Sequence, residues 1–171
     1  MTFTPILAAL LLLQTGGDQP LAGRTWTDED GRTVTGDAWQ GSPVLVAPFY
    51  RGCSLMCPRT VAKLRRVEAV FRHQGKPLEI LMITLDPGSD PPAALRAYKR
   101  QQGLSAHWHL LNGPRAQVVA FCREYLGWTP MYDGDHVSHG TGCLLLDRRG
   151  RLARRFPGWA FPEADLPGSV D

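Results

Sequence analysis

The stretch of sequence that decides the fold reads Pro43-Val-Leu-Val-Ala-Pro-Phe-Tyr-Arg-Gly-Cys-Ser-Leu-Met-Cys-Pro58. Its first half is an apolar run with β-branched residues, which predicts a strand over 43–50. A proline in the first helical position and apolar residues at helical spacing after it predict a helix over 58–73. Cys53 and Cys57 therefore lie at a strand-to-helix junction, where the positive end of the helix dipole favours thiolate. The two sulfurs could close a disulfide or hold a soft metal.

Outside this junction, strands alternate with helices in the middle of the chain and pair as hairpins at both ends. The predicted elements are a hairpin over 25–35 turning at Asp30-Gly31, a strand at 78–85, a helix at 91–102, a short strand at 107–111, a helix at 117–126, and a hairpin of 143–146 with 152–156. The strand at 78–85 is almost continuously apolar, as expected of a strand buried on both faces. The spacing predicts an α/β fold with a thioredoxin-like mixed sheet flanked by helices and an added N-terminal β-hairpin.

The chain of 171 residues, 43% hydrophobic, has the size of one domain, expected over 21–160. The apolar run Pro5–Leu13 is too short to cross a bilayer of about 30 Å, and it resembles the core of an export signal. We therefore expect residues 1–20 to be a signal peptide or an N-terminal tether with its linker. Export places the domain in the periplasm or on the outer face of the cytoplasmic membrane, with possible peripheral or tethered association. Residues 161–171, rich in Pro, Gly and acidic residues, predict a loose tail.

The charge of the chain argues against a nucleic-acid partner. The net charge of +3 and the isoelectric point near 8.8 are too weakly basic to indicate nucleic-acid binding. Arginines gather over 147–155, where a solvated hairpin is the favoured interpretation. A docking face for an acidic protein or an anionic lipid surface is the alternative for these arginines.

A cysteine pair alone leaves a metal ion under-coordinated, so a third ligand is required. The polar loop from Asp133 to Gly140 offers two candidates, His136 and His139, directly before a predicted core strand. Two thiolates and one imidazole suit Cu(I) and tolerate Cu(II).

The remaining histidines and cysteines of interest have simpler interpretations. His107 and His109 could bind a second metal, but surface positions flanking Trp108 are the favoured interpretation. Cys122 and Cys143 are expected to be buried apolar residues, with a disulfide between them as the alternative.

Four stretches of the sequence resemble motifs of the Sco/SenC family. The motifs that carry the resemblance are Phe49-Tyr-Arg-Gly-Cys-Ser-Leu-Met-Cys-Pro58, Ile83-Thr-Leu-Asp-Pro-Gly-Ser-Asp-Pro-Pro92, Trp108-His-Leu-Leu-Asn-Gly113 and His139-Gly-Thr-Gly-Cys-Leu-Leu-Leu-Asp147. They are similar to that family's Cys-x-x-x-Cys-Pro metal motif, its Asp-Pro turn, its Trp-x-x-Leu-Thr-Gly segment, and its histidine followed by a core strand. The resemblance covers roughly residues 25–156. The departures are Ser54, Ser138 and Gly140, where the family more often has Pro, Asp and Ser.

The resemblance implies a thioredoxin-like domain that binds one copper ion, Cu(I) or Cu(II), through Cys53, Cys57 and His139. It implies a role in building the binuclear copper centre of cytochrome c oxidase, by delivering copper, by reducing that centre's cysteines, or both. The implied partner is the copper-accepting subunit of the oxidase or another copper chaperone. Asp86 is expected to approach the site, where its charge could orient His139.

Three other roles use the same thiols. A thiol–disulfide oxidoreductase acting on exported proteins needs Cys53 and Cys57 but not His139. A thiol peroxidase is suggested by Cys57-Pro58, although the proline of that family's motif would fall at Tyr50. A purely structural disulfide would close so short a loop that it removes little chain entropy.

Overall fold

The computed structural model describes residues 19–53, 56–134 and 136–170, and for Met56 and Cys57 it describes the backbone. The predicted leader therefore lies outside the described residues, except for its last two positions. Within the described ranges, no helix combines the length and the apolarity that a membrane crossing requires.

The described residues form nine strands and three α-helices. The strands are β1 Thr25–Thr27, β2 Thr33–Thr35, β3 Val44–Phe49, β4 Glu79–Thr84, β5 Trp108–Leu111, β6 Met131–Asp133, β7 His136–Ser138, β8 Cys143–Leu146 and β9 Leu152–Phe156. The helices are α1 Met56–His73, α2 Pro92–Gln101 and α3 Arg115–Phe121, with short 3-10 helices at Gly36–Trp39 and Pro167–Ser169. Every element predicted from the sequence is present, within two residues at most ends.

A five-stranded mixed sheet, in the order β5-β4-β3-β8-β9, forms the centre of the domain. β3 runs parallel to β4, and β4 runs parallel to β5, with α1 and α2 as the crossover connections. β8 runs antiparallel to both β3 and β9. β1 and β2 pair as the predicted N-terminal hairpin, and β6 pairs with β7 in a second hairpin.

Both faces of the sheet are covered. Leu45, Ala47 and Phe49 of β3 pack on the side of α1 and α2, and Val44 and Val46 pack on the side of α3 and the N-terminal hairpin. Burial on both faces explains why β3 reads as a continuous apolar run rather than an alternating one.

Two details of the helical layer and the loops differ from the prediction. α3 begins at Arg115, directly after Pro114, and continues through the π-helical turn Cys122–Leu126 to Gly127, which has a positive φ of 79°. The β6–β7 hairpin lies where the sequence indicated only a polar loop. Its two strands have three residues each, and Val137 is their single buried side chain, so they leave almost no periodic signal.

The prediction of a loose C-terminal tail is wrong for the described residues. Phe161, Leu166 and Val170 are buried in the same core cluster as α1. The Phe161 ring stacks on Phe156 with centroids 4.2 Å apart. The Glu163 carboxylate accepts from Arg66 Nε of α1 over 2.9 Å and pairs with the Lys63 ammonium at the same distance. A few apolar anchors spaced among Pro, Gly and acidic residues are enough to fix this segment, although its average composition is that of a loose chain.

Candidate metal centre

The loop that carries the first cysteine follows directly from β3. The Cys53 amide donates to the carbonyl of Tyr50 over 3.2 Å and closes a tight turn. Cys53 is half-buried and packs against the core on both sides of the sheet. Cys57 is the second residue of α1, which confirms the predicted strand-to-helix junction, and its side chain lies outside the described part of the chain.

A buried carboxylate anchors this loop. Asp90 accepts hydrogen bonds from the Arg51 amide (3.1 Å), from Arg51 Nε (2.7 Å) and from the Thr84 hydroxyl (2.6 Å). Asp90 and Thr84 are each at most 1% exposed. The cysteine loop is thereby tied to the turn after β4. The sequence marks Asp90 only as part of the turn after β4. Because β4 lies parallel to β3, that turn follows the same end of the sheet as the cysteine loop.

His139 follows β7 and lies among aromatic rings. Its ring meets Tyr50 edge-to-face, with centroids 5.7 Å apart at 88°, and meets Trp128 at 6.0 Å. His139 Nδ1 lies 2.6 Å from the carbonyl oxygen of Gly140. Because a carbonyl oxygen can only accept, Nδ1 carries the proton. Nε2 is then the nitrogen whose lone pair is available to a metal, and within the described residues it makes no hydrogen bond.

Tyr50 therefore joins two predicted ligands. Its carbonyl accepts from the Cys53 amide, and its ring contacts the His139 ring. The late histidine loop thus meets the loop of the first cysteine. A thiol and an imidazole are the donor chemistry that copper prefers. Among the described side chains, which do not include that of Cys57, no group of three or more His, Cys, Asp or Glu residues is placed to hold a metal, so the three-ligand set stays a prediction.

Asp86 is first of all a turn residue. Its carbonyl accepts from the amides of Ser89 and Asp90, and its Oδ1 accepts from Ser89 over 3.4 Å. The Asp86 charge also acts on the β6–β7 hairpin. Burial raises the pKa of the Tyr132 hydroxyl, the Arg115 cation lowers it, and Asp86 makes a smaller contribution that raises it. Tyr132 donates to the carbonyl of Leu85 over 2.9 Å. Asp86 is therefore close to the hairpin that leads to His139, and a direct effect on that imidazole stays a prediction.

The other candidate histidines are His136, His107 and His109. His136 is exposed in β7, opposite Asp133. His107 Nδ1 and His109 Nε2 each bond one oxygen of Glu79, at 3.0 and 2.8 Å. Burial raises the pKa of Glu79, but these two hydrogen bonds outweigh it and leave the pKa below its usual value. The Glu79 carboxylate bridges the two rings. This cluster lies where β4 and β5 begin, at the end of the sheet opposite the cysteine loop.

Cys122 and Cys143 are buried thiols on opposite sides of the sheet, and no disulfide joins them. Burial raises the pKa of the Cys122 thiol to about 12. Burial also raises the pKa of the Cys143 thiol far above its ordinary range, with a small opposing effect from Lys63. Both are buried core residues, as their sequence positions indicated, and a raised pKa favours the protonated thiol.

The sheet order, the crossover helices and the cysteine loop at the β3–α1 junction define a thioredoxin-like protein. The family model described as SCO1/SenC matches residues 18–166, and the chain belongs to this family. A curated relative is the SCO1 protein homolog of Bacillus subtilis (strain 168). It is 21% identical over 138 residues, which cover 78% of this chain and 72% of the relative.

Solved structures share the fold. A SCO1/SenC family lipoprotein from Bacillus anthracis superposes with a TM-score of 0.79 at 18% identity, covering 93% of this chain and 97% of that one. BsSco, a member of the Sco family of cytochrome c oxidase assembly proteins with an identified disulfide switch, gives 0.75 at 20% identity over 90% and 92%. ScoI of Bradyrhizobium japonicum, solved with copper bound, gives 0.65 at 26% identity over 84% and 92%. These likenesses confirm the predicted thioredoxin-like architecture.

Proposed function

We propose that this protein is an exported metallochaperone that carries one copper ion as cargo on Cys53, Cys57 and His139. Its role is to help assemble the binuclear copper centre of cytochrome c oxidase. The observation that carries the proposal is the contact between the His139 ring and Tyr50, three residues before Cys53. The hydrogen bond from Nδ1 to Gly140 leaves Nε2 as the donor atom. Copper-bound ScoI, the solved relative at 26% identity, supports the choice of metal.

Copper transfer by ligand exchange fits a half-buried, low-coordinate site. Each thiolate of the recipient replaces one donor of this protein, so no bare ion is released. Cys57, closer to the positive end of α1, is the more stable thiolate, and Cys53 is then the sulfur that leaves first. The recipient is the copper-accepting subunit of the oxidase or another copper chaperone.

The redox state of the cysteine pair controls loading. Oxidation of the two thiols to a disulfide releases two protons and two electrons, and a disulfide cannot bind copper as two thiolates do. If the electrons go to a disulfide in the recipient, the recipient gains two thiols and this protein becomes the disulfide. The same pair could therefore first reduce the recipient's cysteines and, once reduced again, deliver copper to them.

Location at the outer face of the cytoplasmic membrane completes the proposal. The apolar run at residues 5–13 supports export or tethering of the domain. The related lipoprotein of Bacillus anthracis supports a membrane-tethered form.

A thiol–disulfide oxidoreductase without obligatory metal is the second candidate. The position of Cys53 and Cys57 at the amino end of α1 favours it, because such thiols are activated whether or not metal binds. The two candidates differ over His139, which copper binding needs and thiol exchange does not.

Titration of the reduced protein with Cu(I) and Cu(II) separates the two candidates. We expect one tightly bound equivalent with intense sulfur-to-copper absorption, lost in Cys53→Ala, Cys57→Ala and His139→Ala. His136→Ala is the matched control, since it removes an imidazole three residues away that is exposed on β7. If His139→Ala binds copper with unchanged stoichiometry and spectrum, while Cys53→Ala loses reductase activity, the second candidate replaces the first.

A further inference from the structure

The Trp128 indole occupies the space that a side chain on residue 140 would need. A Cβ atom on residue 140 would lie 2.5 Å from Cδ1, 2.6 Å from Cγ and 2.7 Å from Nε1 of the Trp128 indole. The φ angle of Gly140 is not in the left-handed region, so the backbone would accept another residue. The indole therefore fills the space of the missing side chain, and the glycine is required by Trp128.

The same indole contacts the predicted metal ligand. Its ring centroid lies 6.0 Å from that of His139, and the Tyr50 ring contacts the same imidazole edge-to-face. The Gly140 carbonyl accepts from His139 Nδ1. Gly140 thus contributes twice, because its oxygen selects the tautomer and its missing side chain admits the indole that packs beside the imidazole.

We propose that Trp128 is a positioning residue, which holds the His139 ring in the orientation that presents Nε2 to the metal. This proposal rests on the proposed function, since it assigns His139 to copper. An imidazole fixed before binding loses less rotational freedom when it binds, so affinity is higher. Groups that orient a metal ligand from outside the ligand set typically change metal affinity by about 10- to 100-fold when they are removed.

The pair Trp128 and Gly140 allows a test by double substitution. In the full chain, Trp128→Leu and Gly140→Ala should each weaken Cu(I) binding by roughly 10- to 100-fold. In the Trp128→Leu background, Gly140→Ala should cost less than about threefold, because the indole that the new methyl group would strike is gone. Trp128→Phe keeps an aromatic face beside the imidazole and should retain affinity within about threefold.

Matched controls exist for both substitutions. Trp159 is a second half-buried tryptophan whose buried Nε1 has no partner among the described residues, as is true of Trp128, but it packs against the core on the α1 side. Gly158 also lacks a positive φ, and a Cβ there would have Thr141 Oγ1 as its nearest neighbour at 3.9 Å. Trp159→Leu and Gly158→Ala should leave copper affinity within about twofold.

The orientation of the His139 ring can also be measured in the protein without copper. The ¹⁵N shifts of the His139 ring should show one tautomer, with the proton on Nδ1, in the unsubstituted apo-protein and in Trp128→Phe. In Trp128→Leu they should move towards the averaged values of a mobile imidazole. Circular dichroism verifies that each variant is folded, and Trp128→Phe and Gly140→Ala carry the test if Trp128→Leu is not.

Two results would overturn the positioning role. One is a Trp128→Leu protein that keeps both the fixed tautomer and copper affinity within twofold. The other is additive effects of the two substitutions, which would mean that they act separately. Failure of the proposed function looks different, because His139→Ala would then bind copper normally, whatever the tautomer spectra of the Trp128 variants show.

Discussion

Replacing Asp90 by alanine is expected to loosen the cysteine loop and to destabilise the fold. The carboxylate accepts from the Arg51 amide, from Arg51 Nε and from the Thr84 hydroxyl, at 3.1, 2.7 and 2.6 Å. The Asp90 side chain is 2% exposed and that of Arg51 is 37% exposed. The three lost bonds therefore differ in cost, because water can reach the arginine but not the threonine.

The magnitude follows from these exposures. A hydrogen bond from a buried hydroxyl to a carboxylate contributes about 1.5–3 kcal/mol, and its loss leaves the Thr84 hydroxyl without an acceptor. Arg51 is partly hydrated already, so its lost contacts should add about 1 kcal/mol. We expect Asp90→Ala to lower the free energy of unfolding by about 2–4 kcal/mol. Asp90→Asn keeps the shape and loses the charge, and should cost about half as much.

Urea unfolding followed by circular dichroism measures this loss, with Asp165→Ala as the control. Asp165 is exposed, so its substitution should stay within about 0.5 kcal/mol. Hydrogen exchange at the Arg51 and Cys53 amides reports on the loop itself and should become faster in Asp90→Ala. A loss below about 0.5 kcal/mol with unchanged exchange would refute the reasoning, because the buried carboxylate would then not hold the loop.

Two further predictions concern acid and thiol chemistry. Hydrogen bonds from Lys63 and Arg66 lower the pKa of Glu163 to about 2, so this pairing stabilises the fold above the carboxyl's usual pKa near 4.5 and is lost as the pH falls towards 2. Urea unfolding at pH 7 and pH 3 measures how much stability each protein loses on acidification. After allowance for solvent screening, Glu163→Gln should lose about 1–2 kcal/mol less than the unsubstituted protein. An equal loss would contradict the pairing. Because burial raises the pKa of the Cys122 and Cys143 thiols, iodoacetamide at pH 8 should alkylate both much more slowly than Cys53. Mass spectrometry of the native protein measures the rates, and equal rates would show that the two thiols are not sealed in the core.

Most of the fold could be predicted from the sequence because its strands and helices carry strong local signals. β3 and β4 are buried on both faces and read as apolar runs, and Gly127 and Gly103 mark helix ends. The β6–β7 hairpin could not be predicted, since its short strands have one buried side chain between them. The packing of Leu166 was missed for a related reason: isolated anchors do not change the composition of the segment around them.

The candidate site could be predicted only as a set of ligand types. The thiols and the histidine can be recognised as ligands by residue type, and Cys53 also by its position before a helix. The roles of Asp90 and Trp128 cannot be recognised from the sequence, because they depend on which side chains the fold places beside them. Gly140 is one of the positions where the sequence departs from the motif that it resembles. Only the structure supplies the reason, which is the indole that occupies the space of a side chain.

The sheet topology explains why a histidine so late in the chain reaches the cysteine loop. β8 runs antiparallel to β3, with Leu144 opposite Val46. Each step back along the chain from Leu144 is therefore matched by a step forward along β3, and the same register continued beyond the ladder would set residue 139 opposite residue 51. The observed ring contact of His139 is with Tyr50, one residue away. Because β4 lies parallel to β3, the carboxyl end of β4 and the Asp90 turn after it lie at the same end of the sheet as the cysteine loop. In this chain the three loops therefore lie at the same end of the sheet, and the residue types on them decide which chemistry follows.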